Sequence, residues 1–196
     1  MRLLFSEPPT AGIRAGIFFD RDGVINERIM GGYVTRWCQF QFVRGIQEAL
    51  RELSQINLPI IVVSNQAAVG KGLLRRSTLT QITNRFVKAL REAGARIDAV
   101  YYCPHTAEQG CECRKPREGL LREAAAEWRL DLSRSVLVGD SMSDVEAARA
   151  ADCKIILFDR TGCKTRKSVA EAITVKRVFE IAGCVFQCLQ VAGKVS

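Results

Sequence analysis

The chain has a single histidine, His105, among its 196 residues. A Ser–His–Asp hydrolase would have to use it, so any other firm role for His105 removes that chemistry. No apolar run approaches the roughly 18 residues that cross a bilayer. The opening "MRLLFSEPP" is too short an apolar stretch for an export signal. A cytoplasmic protein without a membrane partner is therefore expected. Internal repeats, low-complexity tracts and interior linkers are missing, and the length suits one domain over 1–196. With no export signal, the eight cysteines do not argue for disulfides. Residues 154–196 hold eight basic and three acidic side chains, so +5 of the net +8 lies there and the rest is only mildly basic. Beyond 158 that segment offers only Phe179 and Phe186 as stacking platforms. This is poor equipment for a zinc-stabilised nucleic-acid-binding module. The tail reads as a solvated basic face, nucleic acid is not the expected partner, and a monomer is expected.

What is present is an alternation. At 47% apolar and 26% charged residues, the composition is that of an ordinary globular domain. "GIFF" (16–19) reads as a short buried strand. Residues 44–56 place Ile46, Ala49, Leu50 and Leu53 on one helical face. "IIVVS" (60–64) is a β-branched run of the kind covered on both sides. Ser77 is the expected N-cap of a helix to about Ala93, with Leu79, Ile82, Phe86 and Leu90 inward. Strands follow at 99–102, 135–139 and 154–158, with helices at 118–128 and 143–151. This order predicts an α/β fold: a Rossmann-like, doubly wound parallel sheet. "AITV" (172–175) is a candidate edge strand. "GCVFQCLQVAG" is apolar without a period, and 163–196 carries no assignment.

In such sheets, ligands sit beyond the carboxyl ends of the strands. There the sequence places Asp20-Arg21-Asp22, Ser64-Asn65-Gln66, a cysteine cluster, and Gly139-Asp140-Ser141. Asp20 and Asp22 are two apart, so on extended backbone both can point one way, and Gly23 permits a sharp turn. Two such carboxylates repel unless a cation intervenes. Mg²⁺ suits oxygen ligands best, and Asp140 can add a further ligand. Ser64, Asn65 and Gln66 can grip an anion with a hydroxyl, amides and main-chain N–H groups. Arg114 and Lys115 can bind phosphate, as a fork and a point charge. Taken singly, each of these also fits a turn, a cap or a solvated pair; their convergence on one sheet edge is what points to a site.

The second signal is "CPHTAEQGCEC" (103–113). Cys103, His105, Cys111 and Cys113 make a closed tetrahedral zinc set, with no position left for catalysis. Cys113 directly precedes Arg114, so the metal would fix the cation pair in space. Cys38, Cys153, Cys163, Cys184 and Cys188 are scattered and carry no expected role.

Together, "FFDRDGVIN", "GGYV" (31–34), "VVSNQAAVGKG", "YYCPH", "CECRKP" and "VLVGDSMSDVEAA" resemble the haloacid dehalogenase (HAD) phosphatase superfamily. The likeness spans about 16–162 and is greatest for its zinc-containing branch of small histidinol-phosphate and heptose-bisphosphate phosphatases. The resemblance implies a HAD fold and an aspartyl-phosphate mechanism, with Asp20 as nucleophile and Asp22 as general acid and then base. It implies Mg²⁺ on the Asp20 carboxylate, the Asp22 carbonyl and Asp140. Ser64 and Lys115 would stabilise the transferring phosphoryl group, and Asn65 would position Asp20 or substrate. Gln66 and Arg114 would contact substrate, and Asp144 would hydrogen-bond a metal water or Lys115. Neither 24–44 nor 70–103 has room for a large cap domain. "GGYV" and the Arg114-Lys115 pair favour D-glycero-D-manno-heptose 1,7-bisphosphate. The short span between His105 and Cys111, and Ser141 where such relatives often have lysine, count against the heptose; histidinol phosphate or another small sugar phosphate is the alternative. A nucleic-acid 3′-phosphatase is the remote alternative.

Overall fold

A computed structural model describes residues 1–160 and 172–190. Seven strands form one sheet: β1 (Arg2–Leu4), β2 (Ile17–Phe19), β3 (Ile60–Asn65), β4 (Ala99–Cys103), β5 (Val136–Gly139), β6 (Lys154–Phe158) and β7 (Ile173–Val175), in the order β1-β4-β3-β2-β5-β6-β7. β1 runs antiparallel to β4, and every other pair is parallel. The chain winds outward from β2 through β3 to β4, then returns to the other side of β2 as β5 and continues to β6 and β7. The order therefore reverses between β2 and β5, with Phe18 paired to Ile61 on one side and Leu137 on the other. In open α/β sheets this reversal opens a crevice beyond the strand ends.

Both faces of the sheet are covered, as the continuous apolar strands require. Helices α1 (Ile46–Leu53) and α3 (Arg76–Glu92) and the C-terminal α6 (Phe179–Leu189) pack with Ile17, Phe19, Val62, Val100 and Val138 in one core. Helices α4 (Gly119–Trp128) and α5 (Met142–Ala150) pack with Phe18, Ile61, Val63 and Leu137 in the other. Each fully buried large apolar side chain in these cores stabilises the fold by about 1.5–3 kcal/mol. A one-turn helix, α2 (Ala67–Gly70), follows β3.

The differences from expectation have simple causes. α3 begins at Arg76 behind an extended Arg75, so Ser77 lies inside the first turn and is not the cap. β1 is too short to carry a period, and it makes the sheet edge antiparallel. α6 occupies part of the unassigned 163–196, and only Glu180 and Gln187 interrupt its apolar sequence. With so little contrast between its faces, no helical period could show. "AITV" does form the edge strand β7. Cys163 lies outside the described residues. Among the described residues, no helix is long and apolar enough to cross a membrane.

Candidate active site and metal centres

Asp20 directly follows β2, and its main-chain N–H donates to Val138 O at 2.8 Å, so its position is set by the β2–β5 pairing. Lys115 arrives from the segment after the cysteine cluster. Its buried ammonium donates to Asp20 Oδ1 at 2.7 Å, Asp144 Oδ1 at 2.5 Å and Val63 O at 2.8 Å. All three ammonium protons are thus satisfied, the condition for holding such a charge in a core. Burial alone would lower the Lys115 pKa, but Asp144 and Asp20 outweigh it and the pKa is raised. Asn65 clamps the same residue from the main chain: Nδ2 donates to Lys115 O at 2.9 Å, and Lys115 N donates to Oδ1 at 3.1 Å. Asn65 therefore positions Lys115, not Asp20. Asp144 holds Lys115 with one oxygen and closes a capping box at the start of α5 with the other, accepting from Ser141 N at 3.1 Å and Ser141 Oγ at 2.5 Å.

Asp22 lives in a separate network. Arg21 donates to both its carboxylate oxygens, at 2.9 and 2.8 Å. Asn26 Nδ2 reaches Oδ1 at 2.9 Å, and Gln66 Nε2 reaches Oδ2 at 2.8 Å. Burial pushes the Asp22 pKa up, but Arg21 and these hydrogen bonds win and hold it below the usual value. Asp20 goes the other way. Burial pushes it up to about 7; Lys115 opposes this, while Asp144, Asp140 and Asp22 add to it.

Asp140 follows β5. Gly23, with φ +102°, turns against it: a Cβ on Gly23 would stand 2.0 Å from Asp140 Oδ2. Carboxylate oxygens of Asp20, Asp140 and Asp144 lie within 4.8 Å of one another. Two of the three, Asp20 and Asp144, share the single charge of Lys115. A hard divalent cation fits the donor set. Arg28 NH2 bridges Asp140 Oδ1 (2.6 Å) and the Asp22 carbonyl (3.0 Å). Asp20, Asp22, Lys115 and Asp144 line a cleft of about 520 Å³ together with Arg28, Met30, Gly31, Tyr33, Ser64, Asn65 and Arg114.

Beside the cleft, Cys103, His105, Cys111 and Cys113 converge, one ligand atom of each within 4.8 Å of the rest. The Sγ atoms of Cys103 and Cys113 lie 3.5 Å from that of Cys111. His105 Nδ1 stands 3.7 Å from Cys103 Sγ and 3.3 Å from Cys113 Sγ. A zinc tetrahedron built on usual bond lengths needs about 3.8 Å between sulfurs and ~3.5 Å from sulfur to nitrogen. The cluster thus has the shape of a four-ligand site, and it uses the chain's one histidine. Arg114 is tied to the loop through His105 O at 3.3 Å.

A profile of HAD-hydrolase-like proteins matches residues 112–180. The D-glycero-β-D-manno-heptose-1,7-bisphosphate 7-phosphatase of Haemophilus influenzae is 36% identical over 152 residues, 74% of this chain and 82% of that protein. Its Photorhabdus laumondii counterpart is 38% identical over 160 residues, 78% and 84% of the two chains. The chain is a HAD-family phosphatase. It is also similar to the D,D-heptose 1,7-bisphosphate phosphatase of B. bronchiseptica, crystallised with magnesium and phosphate: TM-score 0.79, 29% identity, covering 88% of this chain and 98% of that one.

In this HAD phosphatase, the structure brings Asp20, Asp22, Ser64, Asn65, Arg114, Lys115 and Asp144 to one cleft. Asp140 lies within reach of Asp20 and Asp144. Gln66 is a correction. It is only 2% exposed, does not line the cleft, and gives its amide to Asp22 and to Ser64 Oγ at 3.1 Å. Its amide orients Asp22. Among the described residues there is no large cap; the loop from Arg28 to Val34 is the nearest thing to a roof. Arg21, Asn26 and Arg28 are contributors that sequence reasoning missed. Arg21, flanked by Asp20 and Asp22 just past the apolar strand, carried no local signal of its burial.

Proposed function

We infer that this HAD phosphatase hydrolyses the 7-phosphate of D-glycero-D-manno-heptose 1,7-bisphosphate through a phosphoryl-aspartate at Asp20. The observation that supports it is the site at the β2/β5 crevice. Asp20 is fixed by Lys115 there, a second carboxylate stands two residues on, and Asp140, just past the neighbouring strand, lies within reach of Asp20. The relatives' names bring the substrate. Asp20, the Asp22 carbonyl and Asp140 would hold Mg²⁺, which supplies neutralising charge to the phosphoryl oxygens. The four-ligand cluster would hold a structural Zn²⁺ that fixes Arg114 and Lys115.

The steps follow from the side chains. The Asp20 oxygen not held by Lys115 attacks phosphorus. An O–P bond to Asp20 forms as the ester O–P bond breaks, and the leaving alkoxide takes a proton from Asp22. Water then attacks phosphorus, gives its proton to Asp22, and displaces the Asp20 carboxylate with release of inorganic phosphate. The resting ionisation suits the second half: Asp22, held ionised by Arg21, is ready to accept a proton. For the first half it must be protonated, and a phosphate dianion beside it is the like charge that raises its pKa. Lys115 and Ser64 face the transferring group, and Arg114 faces the rest of the substrate.

The compact loop between His105 and Cys111 counts against the heptose bisphosphate and leaves histidinol phosphate or another small sugar phosphate as the second reading. A phosphate-release screen separates them, using both heptose bisphosphate anomers, histidinol phosphate, fructose 1,6-bisphosphate and a 3′-phosphorylated oligonucleotide. The heptose bisphosphate should give the highest kcat/KM. A higher value on histidinol phosphate or the oligonucleotide would overturn the substrate assignment.

A further inference from the structure

Arg28 occupies a place the chemistry reserves for something else. One of its terminal nitrogens bridges two oxygens, Asp140 Oδ1 at 2.6 Å and the Asp22 carbonyl at 3.0 Å. On the reading above, both oxygens are metal ligands. Mg²⁺ sits about 2.0–2.1 Å from its oxygens in a near-octahedral shell. A cation at that distance from both oxygens fills the space between them, so the guanidinium nitrogen and the metal exclude each other.

The rest of Arg28 is built for movement. Its side chain is 44% exposed, whereas Asp140 is 15% exposed. It lines the cleft at the start of the loop that carries Met30, Gly31, Gly32 and Tyr33. The preceding residue does not share this freedom. Glu27 takes a two-pronged contact from Arg160, at 2.8 and 2.7 Å. Its main-chain N–H donates to Gln41 O at 2.7 Å. The backbone is thus pinned just before Arg28 while the side chain reaches across open cleft. When Asp140 and the Asp22 carbonyl turn to a metal, the freed guanidinium remains tethered at the mouth of the same cleft. There its fork geometry suits a phosphate.

We propose that Arg28 is a tethered cation exchanged for Mg²⁺: it bridges Asp140 and the Asp22 carbonyl in the metal-free enzyme, and on metal binding it swings out to hold the phosphate that is not transferred. The exchange keeps the oxygens satisfied in the resting enzyme. It also ties the metal-loaded state to readiness for a bisphosphate. This rests on the assignment of Asp140 and the Asp22 carbonyl as metal ligands.

Three measurements test it. In calorimetric titrations with Mg²⁺ alone, Arg28→Gln should bind about three- to fivefold tighter than wild type, the worth of one partly exposed ion pair. In NMR spectra, the Arg28 side-chain NH signal, assigned by its loss in Arg28→Gln, should shift in step with Mg²⁺ saturation. In kinetics at saturating Mg²⁺, Arg28→Gln should raise KM about tenfold for heptose 1,7-bisphosphate and much less for heptose 7-phosphate, the loss of one charge-assisted contact. An unmoved Arg28 signal at full Mg²⁺ occupancy would overturn the proposal, as would equal KM changes on the two substrates or unchanged Mg²⁺ affinity in Arg28→Gln. Asp140→Asn separates the two levels. If it binds Mg²⁺ as wild type does, the metal-ligand assignment is wrong; if it weakens Mg²⁺ while Arg28 stays indifferent, only the exchange is wrong.

Discussion

Replacing Asp20 with asparagine should make the Mg²⁺-free protein more stable, and increasingly so as pH rises. Asp20 is buried among Asp140, Asp144 and Asp22, and burial raises its pKa from 3.8 to about 7 despite Lys115. The folded protein therefore binds this proton more tightly than the unfolded chain does. The associated stability is fully present below about pH 3.8 and is lost as pH rises through about 7. Each pKa unit is worth about 1.4 kcal/mol. Between pH 5 and pH 8 the wild type should thus lose about 2–3 kcal/mol from this group. The Asp20→Asn variant, with no carboxyl to titrate there, would lose none of it. The assay is urea unfolding of both proteins at the two pH values, with the cysteine cluster kept in zinc and no Mg²⁺ added. The quantity is the change with pH in the difference between the two proteins, in which groups common to both cancel. Adding Mg²⁺ should erase the variant's advantage by stabilising only the wild type. A stability difference that is the same at pH 5 and pH 8 would refute the reasoning, because the charge of Asp20 would then not be the costly feature.

Two further perturbations follow from the geometry. Gly23→Ala should destabilise the protein by about 2 kcal/mol or more, since the backbone conformation is one that side chains rarely adopt. It should also weaken Mg²⁺ binding in calorimetry, because the new Cβ would stand 2.0 Å from Asp140 Oδ2; wild-type affinity would contradict the contact. Cys111→Ser should lower bound zinc well below one per chain by metal analysis and lower the unfolding temperature, because binding to a structural site is folding free energy. Phosphatase activity should fall with the zinc, since Arg114 and Lys115 follow the cluster directly; full activity in a zinc-free protein would break that link.

Much of this was legible in the sequence because it rested on long or doubly constrained signals. "IIVVS" could only be a strand buried on both faces, and its polar continuation placed Ser64 and Asn65 at the sheet's edge. The cysteine cluster was legible from ligand type and spacing alone. The losses have a common physical form: they depend on who faces whom across the fold. Arg21 between two aspartates looks like a surface charge. Only the fold shows it 1% exposed, with one terminal nitrogen donating to both oxygens of Asp22. Gln66 sits next to Asn65 in sequence but turns into the core, where the carboxylate of Asp22 is its partner. Asn65 was expected to position Asp20 or substrate; its amide grips the main chain of Lys115, 50 residues away. Arg28 had no local signal, because its partner Asp140 lies 112 residues on. α6 was hidden for the opposite reason: it is apolar on nearly every side, so its period had no contrast.

The central claim is that phosphorus passes through Asp20. Asp22→Asn removes the proton acceptor of the second half but not the nucleophile. It should be mixed with an aryl phosphate, whose leaving group departs without a proton, then quenched in acid and measured by peptide mass spectrometry. The account predicts one phosphoryl group on the peptide carrying Asp20, and none when Asp20→Asn is added to the same chain. A phosphoryl group on Ser64 or any other residue, or aryl phosphate turnover that persists without Asp20, would contradict it.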